Sequence, residues 1–88
     1  MITLYETRRG DFAPAQLLEP AEAVSAYRSG HLLAADMQRL PWGAREAVRI
    51  TMADDLAIDP SALVVSAGPD GRLRVSGAWM RQRGAEVT

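Results

Sequence analysis

Cysteine, lysine and asparagine are all missing from this 88-residue chain. Without cysteine there is no disulfide, no thiolate nucleophile and no zinc-thiolate site, so stability has to come from packing. Without lysine all ten basic residues are arginine, which together with the abundant alanine fits a GC-rich coding sequence of the kind expected in bacteria or phage. Charge of one sign is lacking too. Ten basic residues stand against eleven acidic ones, a net charge of -1, which argues against binding a phosphate backbone with the whole surface.

Long apolar runs are also absent. No stretch approaches the roughly 18 to 20 apolar residues that a membrane-spanning helix needs, and the start MITLYETRRG has no basic region followed by an apolar run and a cleavage site. A cytoplasmic protein with no membrane partner is the expectation. Catalytic chemistry is thinly provided: His31 is the only histidine, and no spacing sets a serine and a carboxylate beside it. RRGD and GPDG lack the strand-to-helix context and the lysine of a phosphate-binding loop. The acidic group Asp54, Asp55 and Asp59 lacks the spacing and glycine of a calcium loop and reads as a solvated helix end. No enzyme activity, cofactor or metal is expected.

What is present reads as one domain over residues 1–88, with a loose tail from about residue 84. MITLYE alternates Ile2 and Leu4 with Thr3 and Tyr5, the period of a half-buried strand, with Ile2 and Leu4 assigned to the core and Tyr5 to the open face. FAPAQLLEP carries two prolines and predicts an irregular connection pinned by Phe12, Leu17 and Leu18. PAEAVSAYRSG opens on a proline suited to the first helical position, has Glu22 in the first turn, and ends on a capping Gly30, with Ala21, Val24 and Tyr27 on one stripe. A second short helix follows that break, placing Leu33, Met37 and Leu40 at helical spacing before Pro41 stops it.

Residues 43–57 admit two readings. A helix aligns Ala44, Val48, Met52 and Leu56; a strand aligns Val48, Ile50 and Met52. Their length and the stop at Asp59-Pro60 favour the helix. SALVVSAGPDGRLRVSGAW then predicts a β-hairpin closed by Gly68-Pro69-Asp70-Gly71, with Gly71 supplying a positive φ. Its alternation sets Arg72 and Arg74 on one face and Leu73, Val75 and Trp79 on the other.

The expected architecture is a small two-layer α+β domain of order β-α-α-α-β-β. The N-terminal strand pairs with the C-terminal hairpin and the helices cover one face. The other face is left open, carrying Thr3, Tyr5, Ser66, Arg72 and Arg74. The functional class expected from this inventory is a non-enzymatic protein-interaction module, an accessory or inhibitor protein that binds a larger protein or dimerises. Its partner-binding residues are Tyr5, Trp42, Arg45, Arg49, Arg72 and Arg74, since exposed tryptophan beside arginine is a common recognition composition. The alternative is a nucleic-acid binder using Arg72 and Arg74 on the open face, with Tyr5 stacking on a base.

Overall fold

A computed structural model of the protein describes residues 2–77. The chain opens with a short hairpin. Strand β1 (Tyr5–Glu6) runs antiparallel to β2 (Phe12–Ala13), with Tyr5 opposite Ala13 and Glu6 opposite Phe12. The turn between them is held by the Thr7 N–H donating to Asp11 O at 2.8 Å and the Gly10 N–H donating to Thr7 O at 3.0 Å. Gly10 sits at φ 83°, a conformation glycine adopts without a steric penalty.

After a single 3-10 turn at Ala15–Leu17 come helices α1 (Pro20–Arg28), α2 (Ala34–Met37) and α3 (Trp42–Leu56). The break expected at Gly30 is present, with φ 76°. Residues 42–56 are helical, which resolves the two readings of that segment. The chain ends its described course in a second antiparallel hairpin, β3 (Leu63–Ala67) and β4 (Leu73–Gly77), turned at the predicted glycines with Gly71 at φ 81°. Trp79 and the tail from about residue 84 lie outside the described residues.

Two small antiparallel sheets with helices packed between and beneath them make this an α+β domain, as expected. The pairing within it differs from expectation. The N-terminal strand does not join the C-terminal hairpin; it folds back on Phe12–Ala13. Closing a loop of a few residues costs less chain entropy than pairing strands some sixty residues apart, and the Arg9-Gly10 turn makes that closure available. The two hairpins are linked instead through Leu33. Leu33 forms an antiparallel bridge to Arg72, the Ala34 N–H donates to Gly71 O at 3.1 Å, and the Leu33 N–H donates to the Tyr5 hydroxyl at 3.2 Å.

The core is built by Tyr5, Leu18, Leu32, Met37, Leu40, Val48 and Met52 with small alanines between them. Helices α1 and α3 pack on each other, and the β3–β4 hairpin lays Leu63, Val65, Leu73 and Val75 over the same cluster. Ala44, Val48 and Met52 are buried at spacings of four, as the helical reading of α3 requires.

Several apolar assignments are overturned. Ile2 and Leu4 are exposed and Tyr5 is 3% exposed, so the phase of the first strand is inverted. Phe12 and Leu17 face outward, while Leu18 is buried as expected and Ala15 joins it in pinning the connection. Leu32 rather than Leu33 is buried ahead of α2, and on α1 Ala23 is the fully buried residue while Ala21 is exposed.

Candidate functional site

Pro41, held extended at φ -55° and ψ 153°, starts α3 and sets Trp42 as its first residue. The side of the helix carrying Ala44, Val48 and Met52 faces the core, so Trp42 is turned out and is 76% exposed. Seven residues on, almost two full turns, Arg49 falls on nearly the same line of the helix, and Arg45 lies between them, nearer the buried edge.

Both arginines line a groove of about 520 Å³ that runs between α2, α3 and β3. Ala34, Ala35, Met37, Val65 and Ala67 supply its apolar surface, and Gln38, Arg45, Arg49 and Ser66 its polar groups. The lining contains no carboxylate.

The two guanidinium groups are held differently. Arg45 Nη2 donates to Gln38 O at 2.7 Å and to Leu40 O at 3.1 Å, tying α3 to the end of α2. Its Nε is buried and has no partner among the described residues. Arg49 is held more loosely. Its Nη2 donates to Pro60 O at 3.4 Å, and its Nε stands 3.6 Å from Glu46 Oε2, with both side chains more than a third exposed. Such an exposed pair at (i, i+3) contributes little to stability, which leaves Arg49 available to an incoming group.

The six residues singled out in the sequence therefore do not form one patch. Trp42, Arg45 and Arg49 belong together. Arg72 lies elsewhere, in a depression of about 600 Å³ that it shares with Leu4, Phe12 and His31, and its Nε pairs with Asp70 Oδ2 at 3.4 Å. Arg74 stands opposite Ser66 on the outer face of the second hairpin, its Nε folded against Gly68.

Tyr5 is absent from the open face altogether. Its ring is in the core and its hydroxyl donates to the Asp36 carboxylate, whose other oxygen accepts from Arg39 Nη1 at 2.8 Å. Burial first, and then the hydrogen bond to Asp36, push the Tyr5 hydroxyl up to a pKa of about 12. A residue locked in this way cannot stack on a base.

Sequence reasoning missed two buried acids and most of the groove. Asp36 and Glu22 are both buried. Glu22 was placed near the helix dipole, but its work is more specific: its carboxylate accepts from the Glu19 N–H and the Arg8 N–H, both at 2.8 Å, fastening the first hairpin to α1. Those two bonds hold its carboxyl below the usual carboxylate range. The groove joins Met37, expected only on the apolar stripe of the second helix, to Val65, and no sequence signal places either beside Arg49, because three separate elements meet there.

The acids Asp54, Asp55 and Asp59 are not brought together. Asp55 accepts from the Tyr27 hydroxyl at 3.2 Å, and Asp59 accepts from the Ser61 hydroxyl and N–H at 2.7 and 2.9 Å, which lowers its pKa. No cluster of three metal-ligating side chains occurs among the described residues, and no helix among them is long and apolar enough to cross a membrane. His31 is exposed, with its Nδ1 3.3 Å from Ser29 Oγ.

No protein-family model, curated protein or solved structure matches this chain, so any function has to be argued from its own residues.

Proposed function

We propose that this protein is a non-enzymatic interaction module, an accessory or inhibitor protein that docks a larger protein through the groove between α3 and β3. The observation that carries this reading is the exposure of Trp42 on the same line of α3 as Arg49, which with Arg45 lines an apolar-floored groove. A large rigid exposed aromatic on one helix line with an arginine that borders an apolar depression has the composition of an interface anchor, where single residues contribute about 2 kcal/mol or more to binding. Nothing in the core calls for a tryptophan at this position, so its exposure is not explained by packing.

Nucleic-acid binding through Arg72 and Arg74 is supported less well. The aromatic that was to stack with them is buried, and the net charge is -1.

The test is affinity capture from the source cell with the wild-type protein and with Trp42→Ser and Arg49→Glu, followed by reconstitution of each candidate pair from purified components. A true partner is captured by the wild type, binds it one to one in isolation, and is weakened about tenfold or more by either change. Partners that bind both variants as well as the wild type would show that the groove is not the docking surface.

A further inference from the structure

Three consecutive residues of β3, Val65, Ser66 and Ala67, line the groove. Successive side chains of a strand point to opposite faces, so a depression touching three in a row lies along the strand's edge rather than over one face. Among the described residues that edge is unpaired. β3 pairs only with β4 on its other side, and among the described residues no strand lies beyond it.

The hydrogen-bond phase of the hairpin shows which groups the edge presents. The Gly68 N–H donates to Arg72 O at 2.8 Å, so bonding alternates down the ladder: Ser66 and Val64 exchange bonds with Arg74 and Ser76, and the N–H and C=O groups of Val65 and Ala67 point away from β4. None of those four groups has a backbone partner among the described residues. Edges of this kind are usually guarded by a charge, a proline or a bulge, and Leu63-Val64-Val65-Ser66-Ala67 carries none of these. On β4, by contrast, Leu33 already occupies part of the outer edge.

We infer that the groove takes an extended, acidic segment of another protein as a third strand beside β3. Main-chain bonds to Val65 and Ala67 would supply register, small apolar side chains would rest on Ala34 and Met37, and carboxylates would meet Arg49. Charge decides the occupant. The groove lining holds two arginines and no acid, so a second copy adding its own β3 brings two arginine pairs together, and the chain's own residues 78–88 carry Arg81 and Arg83 against the single acid Glu86. Both are repelled where an acidic strand is attracted. This inference rests on the interaction role proposed above and names the form of the partner.

The experiment is selection of a phage-displayed random decapeptide library on the folded full-length protein, with backbone amide exchange measured before and after binding. Enriched peptides should alternate apolar residues with Asp or Glu. Binding should fall about tenfold or more against Arg49→Glu, and equally when alternate amides of the synthetic peptide are N-methylated, a change that leaves the protein untouched. The Val65 and Ala67 amides should exchange freely in the unbound monomer and become protected on binding. Enrichment of basic or uncharged peptides, full affinity of the N-methylated peptide, or protection of those amides in the free protein would each overturn strand addition. If no peptide is enriched while the partner captured through Trp42 still binds, strand addition fails and the interaction role stands; if that partner is missing too, both fail.

Discussion

The hydroxyl of Tyr5, at the start of the chain, donates to the buried carboxylate of Asp36, thirty-one residues later, and accepts from the Leu33 N–H beside it. This one contact joins the first hairpin to α2. Through the Leu33–Arg72 bridge it also joins that hairpin to the second one. It replaces the strand pairing that the sequence pattern suggested, holding the two sheets to a common core without merging them.

Removing the hydroxyl should therefore cost more than an ordinary surface hydrogen bond. Tyr5→Phe leaves a buried carboxylate short of one partner and an N–H without its acceptor, and the expected loss is about 1 to 3 kcal/mol of unfolding free energy in urea titrations. A cycle with Asp36→Ala should show coupling of about 1 kcal/mol or more between the two positions. Additive losses would mean that the contact does no more than fill space.

Burial of the same hydroxyl, and then its bond to Asp36, gives the protein an alkaline limit. Tyr5 is protonated in both folded and unfolded chains below about pH 10, but its folded pKa is raised to about 12, so between those values the unfolded chain loses its proton first. Stability should be full below pH 10 and fall by about 2 to 3 kcal/mol as pH approaches 12, at roughly 1.4 kcal/mol per unit. Tyr27, also raised by burial and then by Asp55, acts in the same direction. At the acid end the sign reverses. Glu22 is held below its ordinary value of 4.5, so its contribution is present above that pH and is lost as the carboxylate is protonated on further acidification. Urea midpoints measured from pH 3 to 11 should fall at both ends, with the alkaline fall reduced in Tyr5→Phe and the acid fall reduced in Glu22→Gln.

Helix α3 ends on an alanine in a left-handed conformation. Ala57 has φ 53°, and its N–H closes the helix onto Ala53 O and Asp54 O. An L-residue with a Cβ pays about 1 to 2 kcal/mol in that region, a penalty glycine avoids but offsets in part by its greater unfolded freedom. Ala57→Gly should stabilise the protein by about 0.5 to 1 kcal/mol and raise its thermal midpoint by a few degrees. An unchanged or lower midpoint would contradict the cap geometry.

Much of this molecule is legible residue by residue. The second hairpin follows from Gly68, Pro69 and Gly71 between alternating runs, the break at Gly30 from capping, and α3 from the spacing of Ala44, Val48 and Met52. Trp42, expected among the partner-binding residues, is exposed. The errors fall where short elements choose between two faces. Ile2, Leu4 and Tyr5 alternate correctly, but a two-residue strand contains too little apolar surface to settle its own phase. A distant carboxylate and a single N–H settled it, because they offered the tyrosine hydroxyl partners inside the core.

The same division holds for the candidate site. Helical periodicity alone puts Arg45 and Arg49 one turn apart, and strand alternation alone opposes Arg74 to Leu73 and Val75, whereas the start of α3 at Trp42, which sets Trp42 in line with Arg49, comes from the structure. Neither period tells how far one element stands from another. Only the tertiary structure carries the free edge of β3 to the arginines of α3, separates Arg72 from them and withdraws Tyr5 into the core. Local patterns record which way a side chain turns on its own element, whereas a groove exists only where elements remote in sequence come to rest against each other.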